Sequence, residues 1–376
     1  YAGGSGAADD PYQVGTAADL VLLGDSPEDY DKHFILTADI DLDPKLPDGK
    51  VFDKAVIAPD TSSSIFFQGG RFTGLFDGNG HVISHLTVTG EDYLGLFGEL
   101  ASDAKIKNLG VVDIDITGND KIGGLVGYNL ASDITRCYST GTVRGNSDVG
   151  GLAGYTQGGN ITCSFSTTEV SGSLYVGGLV GEQCGNVTNC YSSGAISCTW
   201  ISAGGISGGN WGTIANCYST SKVSGTESVG GLSGAMTGGS VTDSFWDIQT
   251  SGQAASIGGI GKTTAEMMMV ATFANWDFEE IWTIQEGVDY PRLRWQVYGI
   301  PSPAPTTIEK LSGDNRSGRA GFKLVDPLSV LVKDQDDTPM PNIQVEFIVT
   351  EGGGMVEPAS ALTNSDGIAS TELTLG

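Results

Sequence analysis

Positive charge is scarce in this 376-residue chain: 19 Lys and Arg stand against 45 Asp and Glu, a formal charge of −26. A nucleic-acid binder needs a basic footprint, and this surface repels phosphate instead. Charged residues of both signs reach only 17%, below the usual quarter. No apolar run approaches the roughly 18 residues that a spanning helix requires. Histidine occurs only as His33, His81 and His85, and no HExxH motif is present, which removes that zinc-protease chemistry. The six Cys (137, 163, 184, 190, 198, 217) form no CxxC pair, which argues against zinc and thioredoxin-like sites. Tyr1-Ala2-Gly3-Gly4-Ser5-Gly6 has neither a basic nor an apolar leader. We expect a mature end left after signal-peptide removal, and therefore a secreted protein.

Glycine, by contrast, is abundant, with 57 residues, roughly twice the usual share. Long helices are disfavoured by it, yet 39% hydrophobic residues are enough to bury a core. The glycines repeat. Gly123-Gly124-Leu125-Val126-Gly127 returns at Gly150, Gly177, Gly204 and Gly230, in steps of 27, 27, 27 and 26 residues. Weaker copies stand at Gly95-Leu96-Phe97-Gly98 and Gly258-Gly259-Ile260-Gly261. A second element keeps the period: Ile134-Thr135-Arg136-Cys137-Tyr138-Ser139 matches segments centred on Cys163-Ser164-Phe165, Cys190-Tyr191, Cys217-Tyr218 and Ser244-Phe245. Units of this length, with short strands and turn residues, fit one coil of a solenoid whose neighbours stack about 4.8 Å apart. The leucine spacing of leucine-rich repeats is absent. We expect an all-β, right-handed parallel β-helix.

These repeats resemble the GLUG-motif family of bacterial extracellular proteins, over roughly residues 70–262. That family occurs in adhesin-like proteins and beside IgA-cleaving metalloprotease domains, so the resemblance implies a surface location more than an activity. The expected organisation is an N-terminal cap with first coils at 1–70, the repeat β-helix at 71–262 and a C-terminal cap at 263–300. A short helix over Thr16–Leu23 and a Met-rich helical stretch from Thr264 belong to the caps. A Pro-rich linker at 301–305 leads to residues 306–376, where strands are expected at Leu328–Val332, Ile343–Thr350 and Ser370–Leu375. This last segment resembles the bacterial Ig-like domain of the invasin/intimin type, shortened relative to the roughly 100 residues of a full sandwich. The edge at Thr371, Leu373 and Leu375 is then expected to lack its partner. Continuation of the natural chain is the preferred completion, and a strand donated by a neighbour the alternative.

No catalytic residue is assigned. Acidic residues in the coils (Asp133, Asp148, Glu169, Glu182, Glu227, Asp243, Asp247) are sparse and out of register, unlike the clustered carboxylates of a polysaccharide lyase or hydrolase. Gly258–Thr263 lacks phosphate-loop spacing. His81, in Asp77-Gly78-Asn79-Gly80-His81, reads as a turn position. Asp39-x-Asp41-x-Asp43 and Asp334-Gln335-Asp336-Asp337 are the two places where calcium is conceivable; no other cofactor or metal is expected. Cys184 and Cys198 are a conceivable disulfide pair. Val143, Val170, Ile196 and Val223 should face the core, with the Cys/Ser position inward too. Tyr138, Phe165, Tyr191, Tyr218 and Phe245 then share the outward parity and form an expected interface or glycan-binding stripe. The alternative turns these rings into the core through a kink at Gly141 or Gly194. The expected function is a non-catalytic secreted or cell-surface structural and binding protein (adhesin, matrix or filament component) whose partners are itself, other surface proteins or glycans. A polysaccharide-active enzyme is the alternative.

Overall fold

The computed structural model describes residues 1–62, 66–299, 305–313, 317–334 and 338–376. Two compact units are present, one of Tyr1–Gly6 with Tyr12–Ile300, the other of Ala7–Pro11 with Pro301–Gly376. In the first unit, short strands stack in parallel into three long sheets. One sheet contains Asp133–Thr135, Asn160–Thr162, Asn186–Thr188, Thr213–Ala215 and Ser240–Thr242 in unbroken register. Another contains Phe97–Leu100, Val126–Asn129, Ala153–Thr156, Val180–Gln183, Ser207–Asn210 and Ser233–Met236. The third carries Tyr138, Phe165, Tyr191, Tyr218 and Phe245 at paired positions. The result is a parallel β-solenoid of about 27 residues per turn.

The Gly-Gly-Leu-x-Gly motif is where each coil packs most tightly. Leu125, Leu152, Leu179, Ile206 and Leu232 are fully buried. A Cβ added at Gly151 would lie 2.1 Å from Ser166 Oγ and 2.2 Å from the Gly178 carbonyl oxygen. At Gly181 it would lie 2.5 Å from the Asp148 backbone of the preceding coil. Non-glycine residues in the left-handed region mark two corners of each coil. One column is Asn108, Arg136, Cys163, Asn189, Asn216 and Asp243; the other is Tyr93, Lys121, Asp148, Tyr175, Ser202 and Ser228. Asn and Asp tolerate this region best, which accounts for Asn189 and Asn216 recurring at one bend.

Inside the coils, Val143, Val170, Ile196 and Val223 are buried, as are Cys137, Ser164, Cys190, Cys217 and Ser244. Cys and Ser interchange there because each donates to the carbonyl two residues earlier: Cys190 Sγ to Thr188 O at 3.2 Å, Cys217 Sγ to Ala215 O at 3.1 Å, Ser164 Oγ to Thr162 O at 2.8 Å. All six cysteines are free thiols, so Cys184 and Cys198 are not bridged. Burial raises the Cys137 thiol to about 12, which makes it a packing group rather than a nucleophile.

The helix Ala17–Gly24 opens the N-terminal region with a capping box between Thr16 and Asp19, and it buries Leu20 and Leu23. After the last coil come short helices at Thr264–Met267 and Val270–Phe273, a strand pair Trp282–Thr283 with Arg292–Leu293, and the helix Arg294–Tyr298. Among the described residues no helix is long and apolar enough to cross a membrane.

The second unit consists of small antiparallel sheets. One orders Pro305–Ser312, Leu328–Asp334, Ile368–Thr374 and Met355–Glu357; the other pairs Gln344–Glu346 with Ser360–Leu362. A complete Ig-like sandwich is not established by these sheets. Pro305 opens a strand, and the remainder of the linker, 301–304, lies outside the described residues. The expected open edge at Thr371, Leu373 and Leu375 is corrected. Thr371 pairs with Leu328 on one side, Leu373 with Val356 on the other, and the Leu375 N–H donates to Phe322 O at 3.1 Å. Residues 321–324 and 355–357 fold back onto that strand and use its backbone groups, so it is interior. The sheet ends instead at Pro305–Ser312, which among the described residues is bonded only to Leu328–Asp334.

Candidate functional site

The five-ring stripe points outward from the coil, as parity requires, but it is not exposed. Phe165, Tyr191, Tyr218 and Phe245 are 3–9% accessible, and Tyr138 is half-buried. The rings of Tyr138, Phe165, Tyr191 and Tyr218 stack with centroid spacings of 4.8, 4.8 and 5.0 Å, set by the strand repeat. Residues 263–298 lie over them as a strap. Met267, Phe273, Trp276, Trp282 and Leu293 join the rings in one separate apolar cluster. Three strap indoles anchor to the corner column beside the rings. Trp276 donates to Asp243 O (2.8 Å), Trp282 to Asn189 Oδ1 (3.4 Å) and Trp295 to Cys163 O (2.9 Å). The strap thus runs back along the stack. At its root, the fully buried Asp247 carboxylate accepts from Thr264 Oγ1 and Tyr290 OH, both at 2.6 Å. Tyr218 OH donates to Pro291 O at 2.6 Å, and burial raises the Tyr191 phenol to about 12. The expected exposed stripe is therefore corrected: its apolar face is satisfied by the chain's own C-terminal strap.

The acidic N-terminal cluster is similarly occupied. Asp39 faces His81 Nδ1 at 3.0 Å and accepts from Val82 N; Asp41 faces His85 Nδ1 at 2.8 Å and accepts from Asp43 N. Both carboxyls are held below the usual range, Asp39 by the Val82 amide first and Asp41 by His85 first. The Asp41 hydrogen bond raises His85. His81 also closes the Asp77–Gly80 turn, its N–H donating to Gly78 O at 2.8 Å. Among the described residues no three ligating side chains converge on one point; of the second calcium candidate, 335–337 lie outside those residues.

A different set of side chains gathers at the Tyr93–Ser228 corner. Each corner residue packs against the last motif Gly of the next coil: Tyr93 at Gly127, Lys121 at Gly154, Asp148 at Gly181, Tyr175 at Gly208. The residue after that Gly points outward and forms a register column of Glu99, Tyr128, Tyr155, Glu182 and Gly209. The two columns interleave. Tyr93 meets Tyr128 edge to face at 6.1 Å, Tyr128 stacks on Tyr155 at 5.1 Å, and Lys121 Nζ lies 5.0 Å from the Tyr93 ring centre. Asp148 is brought onto Glu182, their carboxyls within hydrogen-bond reach. Burial is the leading cause raising both carboxyls, Asp148 to about 6 and Glu182 to about 7; their mutual repulsion adds to the Glu182 shift and Lys121 opposes both. Asp148 Oδ1 is buried without a hydrogen-bond partner. Beyond Glu182, Trp211 lies over Gly209, where a Cβ would come within 2.2 Å of the indole, and meets Tyr175 edge to face at 5.4 Å. Aspartate and glutamate 34 positions apart look unrelated in sequence. The signal lay in reading the residue after each motif Gly as a column, and the residue before each corner's inward apolar residue as another.

The GLUG motif family matches residues 118–144 and 172–197. The chain is 35% identical over 146 residues to halomucin of Haloquadratum walsbyi, covering 37% of this chain and 2% of that protein. It is 32% identical over 138 residues to a protein of Evansella cellulosilytica provisionally named a Gly-rich membrane protein, covering 34% of this chain and 14% of the other. The chain thus spans a small part of either relative. A Bacteroides ovatus crystal structure, provisionally described as an immunoglobulin A1 protease, superposes with a TM-score of 0.58 at 22% identity, over 78% of this chain and 94% of that one. At that identity the likeness is one of fold.

Proposed function

We propose that this chain is a structural and binding segment of a secreted or cell-surface protein, without catalysis of its own. The observation that carries the reading is the GLUG repeat built as a parallel solenoid: one continuous core from Val14 to Trp246, with the Tyr138–Phe245 ladder on its outside covered by the strap. Such a body is a rigid spacer that presents its outer columns to partners. The halomucin likeness and the acidic composition support a surface location. The C-terminal unit we read as an Ig-like module of the invasin/intimin type, and self-association, other surface proteins and glycans as the partner classes. Antibody labelling and protease shaving of intact source cells test the location: the segment should be accessible and shed, and an inaccessible segment overturns the reading.

The second reading, a polysaccharide-active enzyme, is favoured by one observation, the raised Asp148–Glu182 pair beside aromatic rings. Its geometry is unsuited to glycoside hydrolysis, because carboxyls in hydrogen-bond contact are closer than the roughly 5–5.5 Å of a retaining pair. Incubation with neutral and acidic polysaccharides, assayed for new reducing ends and unsaturated products, should show no turnover. Turnover lost in Glu182→Gln would establish the enzyme instead.

A further inference from the structure

Basic side chains are rarest where the solenoid is most regular. Between residues 137 and 261 the only Lys or Arg are Arg144 and Lys222. Both line one open groove of about 280 Å³ on the outside of the coils. The groove crosses four consecutive strands whose Val143, Val170, Ile196 and Val223 are buried in the core, so the flanking residues of each strand face out. Register stacks Thr142, Glu169, Ala195 and Lys222 in one outer column, and Arg144, Ser171, Ser197 and Ser224 in the next. Arg144 and Lys222 stand three coil steps apart, roughly 14 Å. Ala195 and Ser197 lie between them, too short to fill the space, and form its floor. Glu169 is exposed on the coil next to that of Arg144. Lys222 is exposed and, among the described residues, in no ion pair. Arg144 gives one Nη to Asp115 at 2.6 Å and keeps its remaining N–H groups.

We propose that this groove binds a stretch of an acidic glycan in which uronates alternate with neutral sugars, with uronate carboxylates at Lys222 and Arg144. The proposal rests on the reading of the chain as a surface protein with glycan partners, and it names the glycan's class and its site. Charge complementarity selects the occupant. A net charge of −26 repels anions in general, so two cations on one groove are a local exception. At physiological salt the repulsion from the rest of the surface is largely screened beyond about 8 Å. Hydrogen bonds from a guanidinium or ammonium to a carboxylate are stronger than neutral ones. Glu169 sets the spacing, because an anion on every ring would meet its carboxylate, whereas a neutral ring offers it hydroxyl donors. A floor of serine hydroxyls and one methyl suits sugar hydroxyls better than the backbone and side chains of an acidic peptide.

The test is calorimetric titration of the whole chain in about 0.15 M NaCl with a hyaluronan octasaccharide, which alternates uronate and neutral sugar. The competing probes are octagalacturonate, a dextran sulfate oligomer, cellohexaose and hexaglutamate. The hyaluronan octasaccharide should bind, and more tightly than any competitor. Lys222→Glu, which removes an attraction and adds a repulsion, should weaken it about tenfold or more. Ala195→Phe, which fills the floor, should abolish binding. Both positions are exposed, so circular dichroism spectra should be unchanged, and Lys222→Glu decides the matter if Ala195→Phe fails to fold. Lys45→Glu makes the same change of net charge at an exposed residue outside the groove, and should bind as the wild type does. The proposal is overturned by no hyaluronan binding at about 5 mM or by unaltered binding in either folded groove variant. A competitor bound as tightly as the hyaluronan octasaccharide, or an equal loss in Lys45→Glu, also overturns it. None of these outcomes bears on surface location, which shaving decides separately.

Discussion

A single methyl group is enough to test the corner packing. Gly181 has no positive φ to protect; what it lacks is room, with the Asp148 carbonyl carbon and the Gly154 oxygen both 2.5 Å from a would-be Cβ. Gly181→Ala should therefore destabilise by about 3 kcal/mol, read by urea unfolding, and a change under about 0.5 kcal/mol would contradict the packing described. The neighbouring carboxyl pair sets a pH dependence. Both groups bind protons more tightly folded than unfolded, so the pair's own contribution to stability is fully present in acid and is lost as pH rises from the ordinary carboxylate range through about 7, Glu182's folded value. The groups facing the pair are Lys121, Asp120, Ser147, Tyr155, Tyr175 and Cys184. Glu182→Gln should gain about 1 kcal/mol on wild type between pH 5 and 8, after allowance for screening at a half-exposed site. Parallel curves for the two proteins across that range would refute the raised Glu182 carboxyl.

At the scale of elements, the strap and the ladder form one folding unit. Trp282 is fully buried among Trp276, Tyr191 and Tyr218, so Trp282→Ala should cost about 3–5 kcal/mol. It should also raise binding of an apolar dye as the rings become exposed, whereas a stripe that worked as an open interface would lose little stability. In the second unit the strands differ in protection. Ile368–Thr374 is bonded on both sides and Pro305–Ser312 on one, and the latter is almost wholly exposed. Hydrogen exchange should be slower by at least about tenfold in the former; equal rates would contradict the strand order.

For the whole molecule, 26 net negative charges on a stacked body repel one another. Raising salt from about 0.05 to 0.5 M shortens the screening length from roughly 14 to 4 Å, so Tm should rise in NaCl, and an unchanged Tm would show that ion pairs already balance the surface. Exposed ion pairs such as Arg144 with Asp115 at 2.6 Å are worth little each.

The repeat alone determined the solenoid. A 27-residue period fixes which residues stack, and two-residue alternation fixes which face inward, so Val143, Val170, Ile196 and Val223 were legible as core and Asn189 and Asn216 as bends. Two things were decided only by tertiary structure. Parity places Tyr138, Phe165, Tyr191, Tyr218 and Phe245 outside the coil, but whether the outside is solvent depends on where residues 263–298 pass, and nothing in the local pattern encodes that path. Asp148 and Glu182 belong to different strands of adjacent coils, offset by one coil plus seven residues. Their meeting comes from the close approach that Gly181 permits between a strand and the previous coil's corner, a contact between sheets that periodicity along the chain does not reveal.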